Sequence, residues 1–458
     1  MNMDNLLRVT RIRIDNLFDR YSHDVPLRLD DRITIIHGPN GVGKTVLLRL
    51  TAALLSGRLT EFAKVPFSTF EITLSDDSTF GVTKATPKRD EKNDIGACFY
   101  LKSRTGEQQN FEIRGDQSDI LRLANRIENE TPWLARYGPN QYVDRRTEEI
   151  LTALDVVSKY PEYLPERLRK RGIFDEPEWL QNLKTRVGIH LIEAQRLLRF
   201  APSKDWEYRH FQAGPNTQYI ETVKDYAKDL QRRISETLAV YAKDSQSLDQ
   251  SFPERLLKGT VWGGLPVEAL KARMQDLEQK RQQLKKIGLI EEDAAYPFDV
   301  SALEKTDESQ RSVMTLYVED TAKKLGALDD LARRIELMLE NINRKFKHKT
   351  IRISRDKGLT AITSDGKSLE LASLSSGEQH ELVLLYDLLF RVKPNTLVLI
   401  DEPELSLHVT WQKSFLPDLL EIVSATNFDV LLATHSPFIV GDRNDLMEPL
   451  RVDNSVEA

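Results

Sequence analysis

A phosphate-loop pattern near the start of the chain limits most strongly what this sequence can fold into. Residues 38–45 read G-x-x-x-x-G-K-T, and such a loop needs a strand before it and a helix after it. The apolar segment 33–36 predicts that strand, and the apolar segment 46–55 predicts the helix. The sequence therefore predicts an α/β protein with a phosphate-binding loop.

The loop also predicts which atoms contact a nucleoside triphosphate. Its glycines let backbone N–H groups point at phosphate oxygens, and the helix N-terminus adds a favourable dipole. We expect Lys44 to neutralise the β- and γ-phosphates of ATP, and the Thr45 hydroxyl to hold Mg²⁺. Phe18 and Tyr21 are the candidates for adenine contacts. The predicted ATP-binding residues of this segment are Pro39, Asn40, Gly41, Val42, Gly43, Lys44, Thr45 and Val46.

An apolar strand far along the chain ends in two carboxylates. Residues 397–401 read Leu-Val-Leu-Ile-Asp, and Glu402 follows. An acidic residue at the tip of a buried strand can bind Mg²⁺ opposite the phosphate loop, so we assign that role to Asp401. We expect Glu402 to polarise the attacking water, because in-line attack needs a base beyond the metal ligand. Two surface acids at a strand end are the alternative.

A Ser-Ser-Gly turn precedes this strand and a histidine follows it. Residues 374–379 read Leu-Ser-Ser-Gly-Glu-Gln, and the N–H groups that open a helix there can face an anion. Ser375 and Glu378 can also form a capping box, and both interpretations can hold together. His435 follows the apolar segment 430–433, and an isolated histidine in such a place is more often structural.

Composition and charge narrow the class of protein. The chain has 458 residues, of which 40% are hydrophobic and 30% charged, as in ordinary soluble proteins. A net charge of −6 gives no general sign of nucleic-acid binding. The single cysteine, Cys98, excludes an intramolecular disulfide and fits a reducing compartment. With neither a secretory signal nor a membrane-spanning run in view, we expect a cytoplasmic protein.

The pattern along the chain predicts three regions. Short alternating segments between residues 69 and 114 predict an antiparallel β-layer in an N-terminal lobe, 1–215. Apolar stripes at helical spacing predict an inserted helical arm or short coiled coil over 216–346. Strands alternating with helices predict a C-terminal lobe, 347–458, and a mixed, largely parallel sheet. The stripes are Tyr219, Val223, Tyr226, Leu230, Ile234 and Leu238; Leu270, Met274, Leu277 and Leu284; and Leu325, Leu328, Ala332, Ile335, Leu339 and Ile342.

The segments LSSGEQ, LVLIDEP and ATHSP, in this order, resemble the signature, Walker B and switch-histidine elements of the ABC-ATPase superfamily. The resemblance implies an ABC-type P-loop fold in which the signature loop of one subunit completes the ATP site of another. Ser376 and Gly377 would then contact the γ-phosphate across a head-to-tail dimer, and His435, in the position of the switch histidine, would sense it. The predicted signature contacts to ATP are Ser375, Ser376, Gly377 and Glu378.

Two further elements carry the same resemblance. Gln195 follows the apolar segment 188–192 and resembles the Q-loop residue that touches Mg²⁺ and the attacking water, although Glu193 and Arg196 could compete for that role. Residues 403–408 resemble the D-loop, but His408 stands where many relatives have Asp. That departure leaves the coupling between subunits open.

Within the superfamily, the long interval between phosphate loop and signature resembles the SMC/RecF-like branch. The sequence is most similar to the OLD (overcoming lysogenization defect)-like ATPases of bacterial anti-phage defence, at residues 192–197, 374–390 and 401–412. Only a short segment follows His435, so we expect no TOPRIM nuclease domain. The resemblance implies a sensor or scaffold that controls a separately encoded effector, such as a nuclease, as in two-component PARIS, Septu and retron-linked systems.

Two other functions stay open at this point. A DNA-repair or recombination ATPase of the same branch would bind duplex DNA through a basic strip. A pure assembly protein would bind ATP without turnover, but Glu402 and His435 argue against it.

Overall fold

The computed structural model describes residues 7–56, 61–84, 97–112, 117–145, 149–165, 177–192, 198–200, 219–258, 264–291, 303–304 and 306–450. The chain divides into two compact units, the first formed by Met1–Ile220 with Phe390–Ala458 and the second by Glu221–Leu389. The division into three regions expected from the sequence stays a prediction.

In chain order, the strands are β1 (Val9–Leu17), β2 (Tyr21–Pro26), β3 (Ile33–His37), β4 (Thr69–Leu74), β5 (Thr79–Lys84), β6 (Ala97–Lys102), β7 (Gln108–Glu112), β8 (Leu134–Gly138), β9 (Gln141–Asp144), β10 (Glu149–Thr152), β11 (Gly188–Ile192), β12 (Leu198–Phe200), β13 (Tyr219–Glu221), β14 (Lys349–Ser354), β15 (Gly358–Thr363), β16 (Ser368–Leu369), β17 (Thr396–Asp401), β18 (Asp429–Ala433) and β19 (Met447–Pro449).

The α-helices are α1 (Lys44–Ser56), α2 (Glu61–Lys64), α3 (Gln117–Glu130), α4 (Ala153–Lys159), α5 (Glu178–Arg186), α6 (Thr222–Leu257), α7 (Val267–Lys286), α8 (Glu308–Gly326), α9 (Asp329–Lys345), α10 (Ser376–Tyr386), α11 (Val409–Thr426) and α12 (Pro437–Val440). Short 3₁₀ turns cover Pro161–Tyr163, Leu371–Ser373, Pro403–Ser406 and Asn444–Leu446, and a π-helical turn covers Asp387–Arg391.

A five-stranded parallel sheet forms the centre of the first unit, in the order β11-β17-β18-β3-β19. Strand β17 is buried along almost its whole length, and such a continuous apolar run is typical of a parallel strand covered on both faces. In the sheet register Ala433 lies opposite both Asp401 and Ile36. The carboxyl ends of β3, β17 and β18 therefore meet at one edge.

An antiparallel six-stranded sheet, in the order β2-β1-β4-β5-β6-β7, forms a second layer of this unit. In β1, Ile12 and Ile14 are fully buried whereas Arg11 and Arg13 are exposed, the alternation expected of a strand with one buried face. Side chains of β1, β4, β5 and β6 share one apolar core with helix α1. This core holds the helix that follows the phosphate loop.

The second unit combines helices with the small antiparallel sheet β14-β15-β16. Helix α6 passes so close to the β14–β15 turn that a Cβ at Gly358 would overlap the carbonyl oxygen of Ala227. The same glycine has a φ of +69°, a conformation that glycine adopts without strain. The sheets and helices of the two units together confirm the predicted mixed α/β fold class, with a parallel sheet, antiparallel sheets and helices.

Two of the predicted stripes need correction. Tyr219 belongs to strand β13, so the first stripe begins with Val223 on α6. The third stripe is divided between two helices, because α8 ends at Gly326 and α9 begins at Asp329. Glycine weakens the helix at that point, and acidic residues favour a new helix N-terminus. Among the described residues, no helix is both long and apolar enough to cross a membrane.

Candidate functional site

The phosphate loop connects β3 to α1 through a backbone shape that requires glycine. Gly41 and Gly43 have φ values of +84° and +103°, which L side chains rarely adopt. A Cβ at Gly43 would also collide with the side chain of Leu17, on the strand that packs behind the loop. The ring of Phe18, one of the two residues considered for adenine contacts, lies beside Gly43. The loop is therefore held closely against β1.

Lys44 is almost buried, with 5% of its surface exposed, although it carries a charged amine. Its Nζ donates hydrogen bonds of 2.8 Å and 3.0 Å to the carbonyl oxygens of Gly38 and Pro39. Burial lowers the pKa of Lys44, and the negative charges of Glu402 and Asp401 oppose that shift. The loop thus surrounds a partly desolvated cation, which is the environment in which a charge interacts strongly with phosphate.

Thr45, at the start of α1, lies next to the end of β17. Its hydroxyl donates a hydrogen bond of 3.1 Å to Oδ1 of Asp401. A hydroxyl and a carboxylate are oxygen ligands of the kind Mg²⁺ prefers, and Mg²⁺ commonly takes one or two protein ligands together with substrate phosphates and water. The two side chains present therefore fit Mg²⁺.

Glu402 and His435 form the other half of the site. Glu402 has a left-handed backbone, with a φ of 43°, and its N–H donates to the carbonyl oxygen of Ala433 at 2.9 Å. Nε2 of His435 lies 3.5 Å from Oε1 of Glu402, and both side chains are about one-third exposed, at 33% and 30%. Strained backbone of this kind is frequent at functional sites because the surrounding structure must hold it in place.

A cleft of about 380 Å³ opens between the ends of β3 and β18. His37, Pro39, His435 and Ser436 are among the residues that line it. The cleft therefore joins the phosphate loop to the segment that carries His435, both of which lie in the first unit.

The sequence interpretation gave no individual role to Glu404. Its Oε1 accepts hydrogen bonds from the hydroxyl of Thr434 at 2.9 Å and from the backbone N–H of His435 at 2.7 Å. The only signal in the sequence is a third acidic residue two positions after Glu402, with Pro403 between them. No periodicity or spacing shows which backbone group such an acid contacts.

The signature segment lies in the second unit, at the start of α10. Ser375 caps this helix: Oε2 of Glu378 accepts from its backbone N–H at 2.7 Å, and its own hydroxyl oxygen accepts from the N–H of Glu378. The capping box is thus confirmed. Lys349 donates to the same Oε2 at 2.8 Å. Burial would raise the pKa of Glu378, but the bonds from Lys349 and Ser375 outweigh it and hold the pKa low.

The side chain of Gln379 supports the same turn. Its Nε2 donates to the carbonyl oxygens of Ala372 and Leu374, at 3.0 Å and 2.8 Å. Ser376 is exposed and Gly377 half-exposed, so their N–H groups in the first helical turn are accessible to an anion. Their predicted contact with the γ-phosphate stays a prediction.

The first unit brings five of the sequence-predicted site residues to one edge of its parallel sheet. Gln195 lies outside the described residues, as do Glu193 and Arg196. His408 is exposed at the N-terminus of α11, where its Nδ1 accepts from the N–H of Thr410 at 3.3 Å. The five residues that come together are Lys44, Thr45, Asp401, Glu402 and His435.

The family described as "AAA domain, putative AbiEii toxin, Type IV TA system" matches residues 33–441, a range that includes both the phosphate loop and His435. The chain belongs to this AAA family.

One individual protein is similar in sequence to a part of this chain. Protein ea59 of Escherichia phage lambda is 34% identical over 90 residues, which is 20% of this chain and 17% of that protein. The chain therefore matches only a small part of that relative's length.

SMC head domains are among the similar solved structures. One, from Pyrococcus furiosus, has an extended coiled coil bound to the C-terminal domain of ScpA; it is 12% identical, with a TM-score of 0.34 over 98% of this chain and 94% of that chain. The SMC head domain of Thermotoga maritima is 11% identical, with a TM-score of 0.32 over 96% and 94%. Likeness at this level carries no conclusion about activity or partners.

Proposed function

We propose that this chain is a Mg²⁺-dependent ATPase that turns over ATP in a head-to-tail dimer. The observation that carries the proposal is the hydrogen bond between Thr45 and Asp401, beside the buried Lys44 and the Glu402–His435 pair. A phosphate-binding cation, a pair of Mg²⁺ ligands and a carboxylate with a histidine are the components that phosphoryl transfer to water requires.

Each side chain then has a distinct task. Lys44 moves from the carbonyl oxygens of Gly38 and Pro39 to the β- and γ-phosphates, where its charge offsets theirs. Thr45 and Asp401 hold Mg²⁺, which when bound neutralises charge that develops on the phosphate oxygens. Glu402 orients the attacking water and accepts its proton, which is general-base catalysis.

We assign to His435 the sensing of the γ-phosphate. Its Nε2 is 3.5 Å from Oε1 of Glu402, so a shift of the His435 imidazole ring would affect the proposed base directly. Ser376 and Gly377 of a second copy are proposed to contact the same phosphate through their N–H groups. Two ATP sites would then lie between two copies.

The proposal is tested by phosphate release from the purified chain with ATP and Mg²⁺. We expect turnover that disappears in Lys44→Ala, because the variant lacks the cation that offsets the phosphate charge. Lys357→Ala, at an exposed position of the second unit, is the matched control and should keep wild-type turnover. Equal phosphate release from wild type and Lys44→Ala would contradict the assignment.

At the level of biology, we propose that the ATPase is a sensor or scaffold of an anti-phage defence complex that controls a separate effector, such as a nuclease. The family description, with its reference to a Type IV toxin–antitoxin system, supports a role in defence against phages. The similarity of one segment to a phage lambda protein is compatible with it.

The defence role is tested by phage infection of cells that carry the gene with its neighbours. We expect fewer plaques than in cells without it, and loss of this protection in Lys44→Ala and Glu402→Gln. Protection that is the same with and without the gene, across a panel of phages, would contradict the role. It would leave the ATPase proposal in place.

A DNA-repair ATPase is the alternative, and the arginines of β1 do not favour it. Arg11 pairs with Asp24, and Arg13 lies 3.2 Å from Asp15, so both positive charges are largely offset within the protein. Tight binding of duplex DNA with a steep dependence on salt would reverse this preference.

A further inference from the structure

Side-chain hydrogen bonds, in addition to the pairing of β17 with β18, connect the segment that carries His435 to the turn after Glu402. Oε1 of Glu404 accepts from the N–H of His435 at 2.7 Å and from the Thr434 hydroxyl at 2.9 Å. The N–H of His435 lies two residues beyond the end of β18, and a hydrogen bond to a charged carboxylate is stronger than one to a neutral acceptor. The bond determines where the His435 backbone lies.

A second side chain fastens the residue after His435. Ser436 donates from its hydroxyl to Oε1 of Gln412 at 2.7 Å. Nε2 of Gln412 lies 3.3 Å from the carbonyl oxygen of Leu407 and 3.4 Å from that of Glu404. The turn 403–407 therefore contacts His435 directly, through Glu404, and Ser436 indirectly, through Gln412. Gln412 is itself buried, with 8% exposure.

The other carboxylate oxygen of Glu404 has a different environment. Among the described residues, Oε2 of Glu404 is buried and has no hydrogen-bond partner. A half-satisfied buried carboxylate is costly compared with an apolar side chain. The hydrogen bonds that the Glu404 side chain makes to the described residues are therefore those of Oε1, to the Thr434 hydroxyl and to the N–H of His435.

We propose that Glu404 is a positioning residue that sets the distance between the His435 ring and Glu402, with Gln412 as its support. The proposal rests on the proposed ATPase function, in which Glu402 acts as base. Glu402 is tied to β18 by its own N–H to Ala433, and Glu404 supplies the second tie, two residues later. These two hydrogen bonds, one from Glu402 and one to Glu404, would hold the base and the histidine at a fixed distance from each other.

The test compares Glu404→Ala with Glu404→Gln. Glutamine keeps an oxygen that accepts from the His435 N–H, whereas alanine removes the acceptor. We expect Glu404→Ala to lower kcat by about 10- to 100-fold with KM for ATP within about threefold of wild type, because misplacement of a catalytic group affects turnover rather than ground-state binding. Glu404→Gln should keep kcat within about threefold of wild type.

A second measurement does not depend on activity. Hydrogen–deuterium exchange of the peptide that spans residues 430–440 should be faster in Glu404→Ala by about tenfold or more, and close to wild type in Glu404→Gln. Glu421→Ala, at an exposed glutamate of α11, is the matched control and should change neither kcat nor exchange. Thermal melting of each variant shows that it is folded.

The possible outcomes separate this inference from the proposed function. If the wild type hydrolyses no ATP, the ATPase proposal fails, and the exchange measurement still decides whether Glu404 fixes the His435 backbone. Unchanged exchange in Glu404→Ala overturns the inference. Equal loss of kcat in the alanine and glutamine variants, with exchange unchanged in the glutamine variant, assigns the effect to the charge of Glu404 and overturns it as well.

Discussion

The hydroxyl of Thr45 lies 3.1 Å from Oδ1 of Asp401 and donates a hydrogen bond to it. Because both oxygens are proposed Mg²⁺ ligands, we expect Thr45→Ala to raise the Mg²⁺ concentration needed for half-maximal ATPase activity by about 10- to 100-fold. Thr45→Ser, which keeps the hydroxyl, should behave almost like wild type. A Mg²⁺ titration checks this, and identical curves for alanine and wild type would remove Thr45 from the metal site.

Glu402→Gln tests the assignment of the base. The amide keeps the size of the side chain but cannot accept a proton, so we expect kcat to fall by about 100-fold or more, the usual contribution of a general base. ATP binding should persist, and the ATP-bound dimer should accumulate, as measured by light scattering on a sizing column. Glu421→Gln is the control with an exposed glutamate. Unchanged turnover in Glu402→Gln would exclude the base role.

A buried ion pair below the signature turn predicts a large effect on stability. Lys345 of α9 pairs with Glu381 of α10, and their side chains are 5% and 1% exposed. Removal of one partner leaves a buried charge, so Glu381→Leu should lower the free energy of unfolding by about 3–5 kcal/mol. The double variant Lys345→Met with Glu381→Leu should recover most of that loss.

Urea unfolding measures this effect, and Glu340→Leu, on the exposed face of α9, is the control. If Glu381→Leu alone is as stable as wild type, the pair is not closed in solution as it is in the structure.

Asp229 of α6 predicts a dependence of stability on pH. Burial would raise its pKa, but hydrogen bonds from Arg233 and Tyr386 outweigh that effect and lower the pKa from 3.8 to about 2. A carboxyl with a depressed pKa in the folded state stabilises the protein above its unfolded pKa, and this stabilisation is lost as the pH falls toward about 2.

Unfolding measured between pH 5 and pH 2, a range of roughly three units around the ordinary pKa of aspartate, checks the expectation. Asp229→Asn should show a shallower loss of stability with acid than wild type, whereas Asp244→Asn, an exposed aspartate of the same helix, should match wild type. Parallel curves for wild type and Asp229→Asn would show that the contacts of Asp229 do not persist.

The parts of the site that lie on regular elements could be predicted from the sequence. The segments 33–36 and 397–401 predict strands β3 and β17. A residue that follows a parallel strand must lie at the carboxyl edge of the sheet. Local pattern alone was therefore enough to place Lys44 and Asp401 in one neighbourhood.

The rest depended on contacts between distant segments. The role of Glu404 arises from one hydrogen bond to a backbone N–H thirty-one residues later, and no property of its neighbours in sequence encodes that bond. The break between α8 and α9 was missed because apolar spacing continues across Gly326. Periodicity records which residues are buried and does not record where the backbone turns.

The position of β3 in its sheet has a consequence for how the protein is made. Its two neighbours, β18 and β19, lie hundreds of residues later in the sequence. On the ribosome, the phosphate loop is therefore synthesised long before any strand that can flank it, and sheet formation must wait for a very long loop to close. We expect a nascent chain to be unable to bind ATP until residues 429–433 have emerged, so the order of the strands would delay nucleotide binding until Asp401 and Glu402 have also been made.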